Sequence, residues 1–205
     1  YTKEKILNYT NTIFNKLTTK RPLIDFFLAV SFLTRIPIPN VLKFENELMS
    51  AAWSFSLIGA LLGFFCGSIA WVLLYLNIPI GIVAFLTVGS MILLTGGLHE
   101  DGLADMADGV GGGKSADEKI AIMRDSQIGT YGALSLIFML GMKVTAIDII
   151  LNNDTILVCM ISLVISGALS RLSMVTVAFL FENASKTGLG HFAGKPTLNS
   201  IVMPL

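Results

Sequence analysis

Four apolar runs, at about Ala51 to Leu76, Ile78 to Leu98, Tyr131 to Leu151 and Thr155 to Phe181, limit what this chain can become. Each is near or above the roughly 20 residues that a helix needs to cross a bilayer. They predict an all-α fold, a polytopic integral membrane helix bundle. Composition agrees: 54% of the 205 residues are hydrophobic and 14% charged, outside the balance of a soluble domain. Formal net charge is zero, so nothing in the composition supports nucleic acid as a partner. Cys66 and Cys159 fall inside apolar runs, where each reads as a small buried hydrophobe rather than as half of a disulfide or a metal ligand.

The segments around the spans differ in charge. Residues 1–21 place Ile6, Tyr9, Ile13 and Leu17 at helical spacing among Lys3, Lys5, Lys16, Lys20 and Arg21, which predicts a basic amphipathic helix lying on an anionic membrane surface. Residues 22–38 carry Asp25 and Arg35 and leave too short an apolar run to span, so they read as re-entrant or interfacial. The connections Asn77 to Pro79 and Asn152 to Asp154 hold no Lys or Arg, whereas the central loop holds Lys114, Lys119 and Arg124. That bias places the central loop on the cytoplasmic side. Residues 22–205 then read as one transmembrane catalytic domain, expected to continue beyond Leu205.

Directly after the second run, Glu100, Asp101, Asp105 and Asp108 put four carboxylates within nine residues. Ionisable groups at bilayer depth cost roughly 2.5 to 3.5 kcal/mol each, so they belong at the surface or in a watery cavity, usually for function. If this segment is helical, Asp101, Asp105 and Asp108 fall within an arc of about 60°, opposite Leu103, Met106 and Val110. Two charges at about 6 Å and an effective dielectric near 20 repel by roughly 3 kcal/mol, so the face calls for a proton or a cation. Mg²⁺ answers this with one or two carboxylates, waters and substrate phosphate oxygens. Asp101 and Asp108 are about 10.5 Å apart along the axis, too far to share one ion, which leaves Asp105 as the middle ligand. Glu100 or Asp125 could complete the shell.

The plain alternative is a solvated acidic helix. Gly102 argues against it, because glycine inside a helix costs roughly 1 kcal/mol relative to alanine and here leaves room for a backbone or a phosphate. After Gly111 to Gly113, Ser115-Ala-Asp-Glu118 forms a capping box that starts a second short helix through about Asp125. Lys114, Lys119 and Arg124 could bind phosphates, although a solvated role suits each of them as well. Arg171, in the middle of the last span among small residues, should face a cavity or a partner such as a substrate phosphate. Lys143 reads as a snorkelling side chain and Asp148 as a span-end residue. His99 and His191 are candidate proton carriers, His99 the better placed.

The run Gly96-Gly-Leu-His-Glu-Asp-Gly-Leu-Ala-Asp-Met-Ala-Asp-Gly109 and the run Ile122-Met-Arg-Asp-Ser-Gln-Ile-Gly-Thr-Tyr-Gly132 resemble cobalamin synthase, the adenosylcobinamide-GDP ribazoletransferase family. Phe32-Leu-Thr-Arg-Ile-Pro-Ile-Pro39 and Ser170-Arg171 extend the likeness to roughly residues 22–195. The resemblance implies a multi-pass, Mg²⁺-dependent enzyme of the prokaryotic inner membrane, with its active-site loop on the cytoplasmic side. It would join adenosylcobinamide-GDP to α-ribazole or its 5′-phosphate, releasing GMP. It further implies that Glu100, Asp101, Asp105 and Asp108 hold the metal against the diphosphate, with Arg124, Asp125 and Arg171 near it. Glu100, Asp125 and His99 are the candidates for proton transfer. Membrane lipid, a second copy of the chain and other cobalamin-assembly enzymes are candidate partners. The basic helix before Pro22 departs from the family pattern. The spacing of Asp101, Asp105 and Asp108 is also similar to that of the CDP-alcohol phosphotransferases, but two further spaced aspartates of that motif are not in place. A transporter is the third reading, without the repeated halves or matching broken helices that would support it.

Overall fold

The computed structural model describes residues 21–38, 48–184 and 187–201, and these are helical with connecting turns. The predicted basic helix of residues 1–21 lies almost wholly outside the described residues. The helices are α1 (Arg21–Leu33), α2 (Ala52–Tyr75) after a 3-10 turn, α3 (Ile80–Thr95), α4 (Leu98–Gly112), α5 (Ala116–Met123), α6 (Thr130–Asn153), α7 (Ile156–Leu180), and the short α8 (Leu189–Ala193) and α9 (Leu198–Ile201). Three of the four expected spans are long apolar helices, Leu48–Tyr75, Thr130–Asn153 and Ile156–Leu180. The fourth differs. Ile78 to Leu98 contains the 16-residue α3, which turns by 90° into α4. At 1.5 Å per residue α3 reaches only about 24 Å, short of a hydrocarbon core of about 30 Å. At 13 residues α1 agrees with a segment too short to cross.

Turn chemistry ends these helices where they end. After α2, Asn77 adopts φ 57°, with Asn77 N–H donating to Leu74 O and Ile78 N–H to Leu73 O. This paired closure satisfies two orphan carbonyls, and Pro79 then starts α3. After α3, Gly96 (φ 67°) and Gly97 (φ 72°) are left-handed in succession, with Gly97 N–H donating to Ile92 O. One left-handed residue closes a helix, and the second redirects the chain so that α4 leaves at the bend.

The chain forms two compact units, Ala60–Gly167 and the described residues up to Gly59 together with those from Ala168 onward. In the first, Ala70, Val83, Ala84, Val88, Ile147, Leu151 and Cys159 make the buried core. Gly63 and Gly67 of α2 let it approach α7, since a Cβ on Gly63 would strike the Leu163 backbone and one on Gly67 would meet Met160. Small residues one turn apart serve this purpose in membrane helices, where burial against lipid provides no drive of its own. Phe64, Phe65, Phe85 and Phe138 face outward, each more than half exposed, as lipid-facing side chains do. Trp71 and Tyr75 stack at the end of α2 with centroids 6.3 Å apart, where amphipathic rings suit a membrane interface. In the second unit, Phe32 stacks on the buried Phe55, and Asp25 and Arg171 are both buried.

Candidate active site

The acidic stretch is helical, as its spacing predicts, and α4 carries all four carboxylates. Glu100 and Asp101 lie in its first turn, where the helix dipole favours negative charge. The environments then diverge. Asp101 is exposed, Asp105 half-buried and Asp108 buried, while Met106 and Val110 of the opposite face are 60% and 57% exposed. The Asp105 and Asp108 part of the acidic face, rather than Met106 and Val110, turns toward the protein.

Asp108 shows why. Its Oδ2 accepts the Gly129 N–H at 2.7 Å and its Oδ1 accepts the Gly132 N–H at 2.8 Å. These donors are the residue that caps α6 and the third residue of its first turn, whose N–H groups have no partner within the helix. The carboxylate therefore works as a cap supplied from another helix. Glu100 engages α6 much further along: its Oε1 lies 3.2 Å from Lys143 Nζ. Lys143 is about 20 Å from Thr130 along the α6 axis, so α4 is tied to α6 at its end and near its middle. Glu100 Oε2 is buried and accepts no hydrogen bond from the described residues. Glu100 and Lys143 also line a mostly apolar cavity of about 190 Å³ that includes Ile147, Cys159 and Ser162.

Asp101 and Asp105 accept no hydrogen bond from the described residues. Burial, and then the charges of Asp101 and Asp108, push the Asp105 carboxyl above its ordinary range, so this face favours a proton or a cation. Among the described residues no three His, Cys, Asp or Glu side chains come together closely enough to enclose a metal. Gly102, between the two open carboxylates, has nothing within 4 Å of where a Cβ would sit.

The capping box forms as expected: Glu118 N–H donates to Ser115 Oγ at 3.2 Å, and Glu118 Oε2 accepts from the N–H groups of Ser115 and Lys114. α5 ends at Met123, two residues before the expected Asp125, because Asp125 Oδ1 turns to accept the Gln127 N–H at 3.1 Å. Lys114, Arg124 and Asp125 are exposed in the same unit as α4, and His99 is half-buried on the first turn of α4. Arg171 belongs to the other unit, where it is 5% exposed and donates from Nη1 to Ser170 Oγ at 2.8 Å.

Lys143 is the residue that its position in the sequence undersells. An intramembrane lysine needs a partner, and the excess of acids in α4 was the available signal. The roles of Gly129 and Gly132 carry no local signal, because the group they accommodate lies 21 and 24 residues away in the chain, respectively.

A family model, cobalamin-5-phosphate synthase, matches residues 25–204. A Vibrio cholerae protein named adenosylcobinamide-GDP ribazoletransferase is 51% identical over 119 residues, covering 56% of this chain and 44% of that protein. Proteins of the same name from Rhizobium johnstonii and Brucella anthropi are 35% and 34% identical over 84% and 87% of this chain, and 67% and 69% of their own length. The chain thus spans about half to two thirds of the length of these curated relatives. No solved structure matches it. With nine-tenths of its residues inside one family model and its acidic helix intact, the chain belongs to the cobalamin-5-phosphate synthase family.

Proposed function

We propose that this chain carries the catalytic region of an adenosylcobinamide-GDP ribazoletransferase. In this reading it joins adenosylcobinamide-GDP to α-ribazole or its 5′-phosphate, with release of GMP. The observation that carries the reading is α4 itself, a glycine-hinged helix that keeps two carboxylates open beside Gly102 within a chain of this family.

The donors suit Mg²⁺. Asp101 and Asp105 offer hard oxygens on one face, the donor type that Mg²⁺ takes alongside waters and phosphate oxygens. When bound, Mg²⁺ would neutralise charge on the transferred and leaving phosphoryl oxygens. The chain's own residues do the rest. Gly102 leaves space for the diphosphate to approach α4, and Lys114 and Arg124 supply exposed positive charge in the same unit. A ribazole hydroxyl oxygen bonds to the phosphorus that carries cobinamide, the bond to the bridging oxygen breaks, and GMP departs with that electron pair. The hydroxyl proton passes to a base. Glu100 suits this better than Asp125, because its buried Oε2 accepts no hydrogen bond from the described residues and the residue lines a cavity, while Asp125 is exposed and holds a turn. The basic residues between α4 and α6 favour a cytoplasmic location for this face.

The test is direct. Protein reconstituted in liposomes is incubated with adenosylcobinamide-GDP, α-ribazole and Mg²⁺, and GMP is followed. GMP release should require all three and fall about a hundredfold or more in Asp105→Asn. Turnover of a CDP-linked lipid instead, or GMP release indifferent to α-ribazole, would overturn the reading.

A further inference from the structure

We infer that Asp108 is a positioning residue rather than a metal ligand: its carboxylate, seated on the backbone N–H groups of Gly129 and Gly132, fixes the acidic helix α4 against the start of α6. Four observations converge on this. Both carboxylate oxygens are engaged at 2.7 and 2.8 Å. The side chain is buried, whereas Asp101 is exposed and Asp105 half-buried. The donors are the residue before α6 and the third residue within it, the two kinds of position at which a helix leaves N–H groups without a partner. Finally, both donor residues are glycine for a steric reason. A Cβ on Gly132 would run into the Asp108 carboxylate and come within 3.0 Å of the Ala104 carbonyl oxygen, and one on Gly129 would meet the same carboxylate.

The receptor for Asp108 is therefore built by Gly-x-x-Gly at the head of a membrane helix, and it sets the orientation of the residues one and two turns earlier. Asp105 and Asp101 lie on the same face of α4 as Asp108 and take their direction from that anchor. Engagement of α6 at Lys143 by Glu100 restrains the other end of α4. The division of labour follows from these contacts: Asp108 orients, and Asp101 and Asp105 bind.

The proposal rests in part on the transferase reading, so its test has one arm that needs no turnover. In that arm, amide hydrogen exchange is measured on the reconstituted protein without metal or substrate. Gly129 and Gly132 should be protected while the intervening Thr130 and Tyr131 exchange freely, and Asp108→Asn should speed exchange at both glycines by about tenfold to a hundredfold. Equal exchange across residues 129–132 in the unaltered protein would overturn the proposal, whether or not any variant folds. In the second arm, GMP release is titrated with Mg²⁺ for Asp108→Asn, Gly132→Ala and the double variant. Positioning predicts a similar loss of kcat in both single variants, no further loss in the double, and a Mg²⁺ half-saturation within about twofold of the unaltered protein. A tenfold rise in Mg²⁺ requirement in Asp108→Asn that Gly132→Ala does not share would make Asp108 a ligand. Absence of GMP release from the unaltered protein counts against the transferase reading and leaves the exchange arm to decide the role of Asp108.

Discussion

Replacing Lys143 with methionine removes the amine 3.2 Å from Glu100 Oε1 and keeps most of the side chain's volume. Two unit charges at that distance attract by about 5 kcal/mol at an effective dielectric near 20 and by about 1.3 kcal/mol in water. The Lys143 side chain is 39% exposed, and a stem that can carry the amine toward the interface moves the interaction toward the lower figure. Glu100 is the more vulnerable partner, with a side chain 13% exposed and a second oxygen already lacking a hydrogen bond among the described residues. Lys143→Met should therefore destabilise the protein by about 1 to 3 kcal/mol, mostly through the uncompensated carboxylate left behind. Glu100→Gln should cost less, because a freed lysine can extend its stem toward the interface. The double variant should be more stable than the sum of the two losses implies, with a coupling of about 1 kcal/mol or more. Unfolding by graded addition of SDS to detergent-solubilised protein reads all four forms. Strict additivity, or a Lys143→Met variant within about 0.3 kcal/mol of the parent, would refute the reasoning.

Three further substitutions probe the architecture. Gly97→Ala meets no atom within 4 Å but imposes a side chain at φ 72°, so it should cost about 1 to 2 kcal/mol in the same unfolding assay. Gly102→Ala should do the opposite, stabilising α4 by up to about 1 kcal/mol while weakening nucleotide binding, measured by calorimetry, because its side chain fills the space left for the diphosphate. Gly63→Leu drives a side chain into the Leu163 backbone and should cost about 3 kcal/mol or more, seen as loss of folded protein on size-exclusion chromatography.

Much of this was legible in the residues themselves. Apolar run length placed α2, α6 and α7, and the capping box located the start of α5 to the residue. The spacing of Asp101, Asp105 and Asp108 located one face of α4. Run length alone does not reveal the bend after residues 78–95, because hydropathy does not register two successive glycines, and Gly96 and Gly97 limit the helix to 16 residues. The face of α4 was correct, but its neighbours were not legible. The contacts of Asp108 with Gly129 and Gly132, and of Glu100 with Lys143, join residues 21 to 43 positions apart, and no local period encodes them. The three aspartates look equivalent on a helical wheel. Packing separates them, burying Asp108 on a helix end and leaving Asp101 exposed and Asp105 half-buried.

On the proposed function, Asp101 and Asp105 of α4 would bind the donor's diphosphate through a divalent cation. Calorimetric titration of adenosylcobinamide-GDP into the reconstituted protein, with and without Mg²⁺, tests it most directly. Mg²⁺ should tighten binding by about tenfold or more, equivalent to about 1.4 kcal/mol, and Asp101→Asn with Asp105→Asn should abolish that gain. Equal affinity without the metal, or a gain that survives in the double variant, would contradict the account.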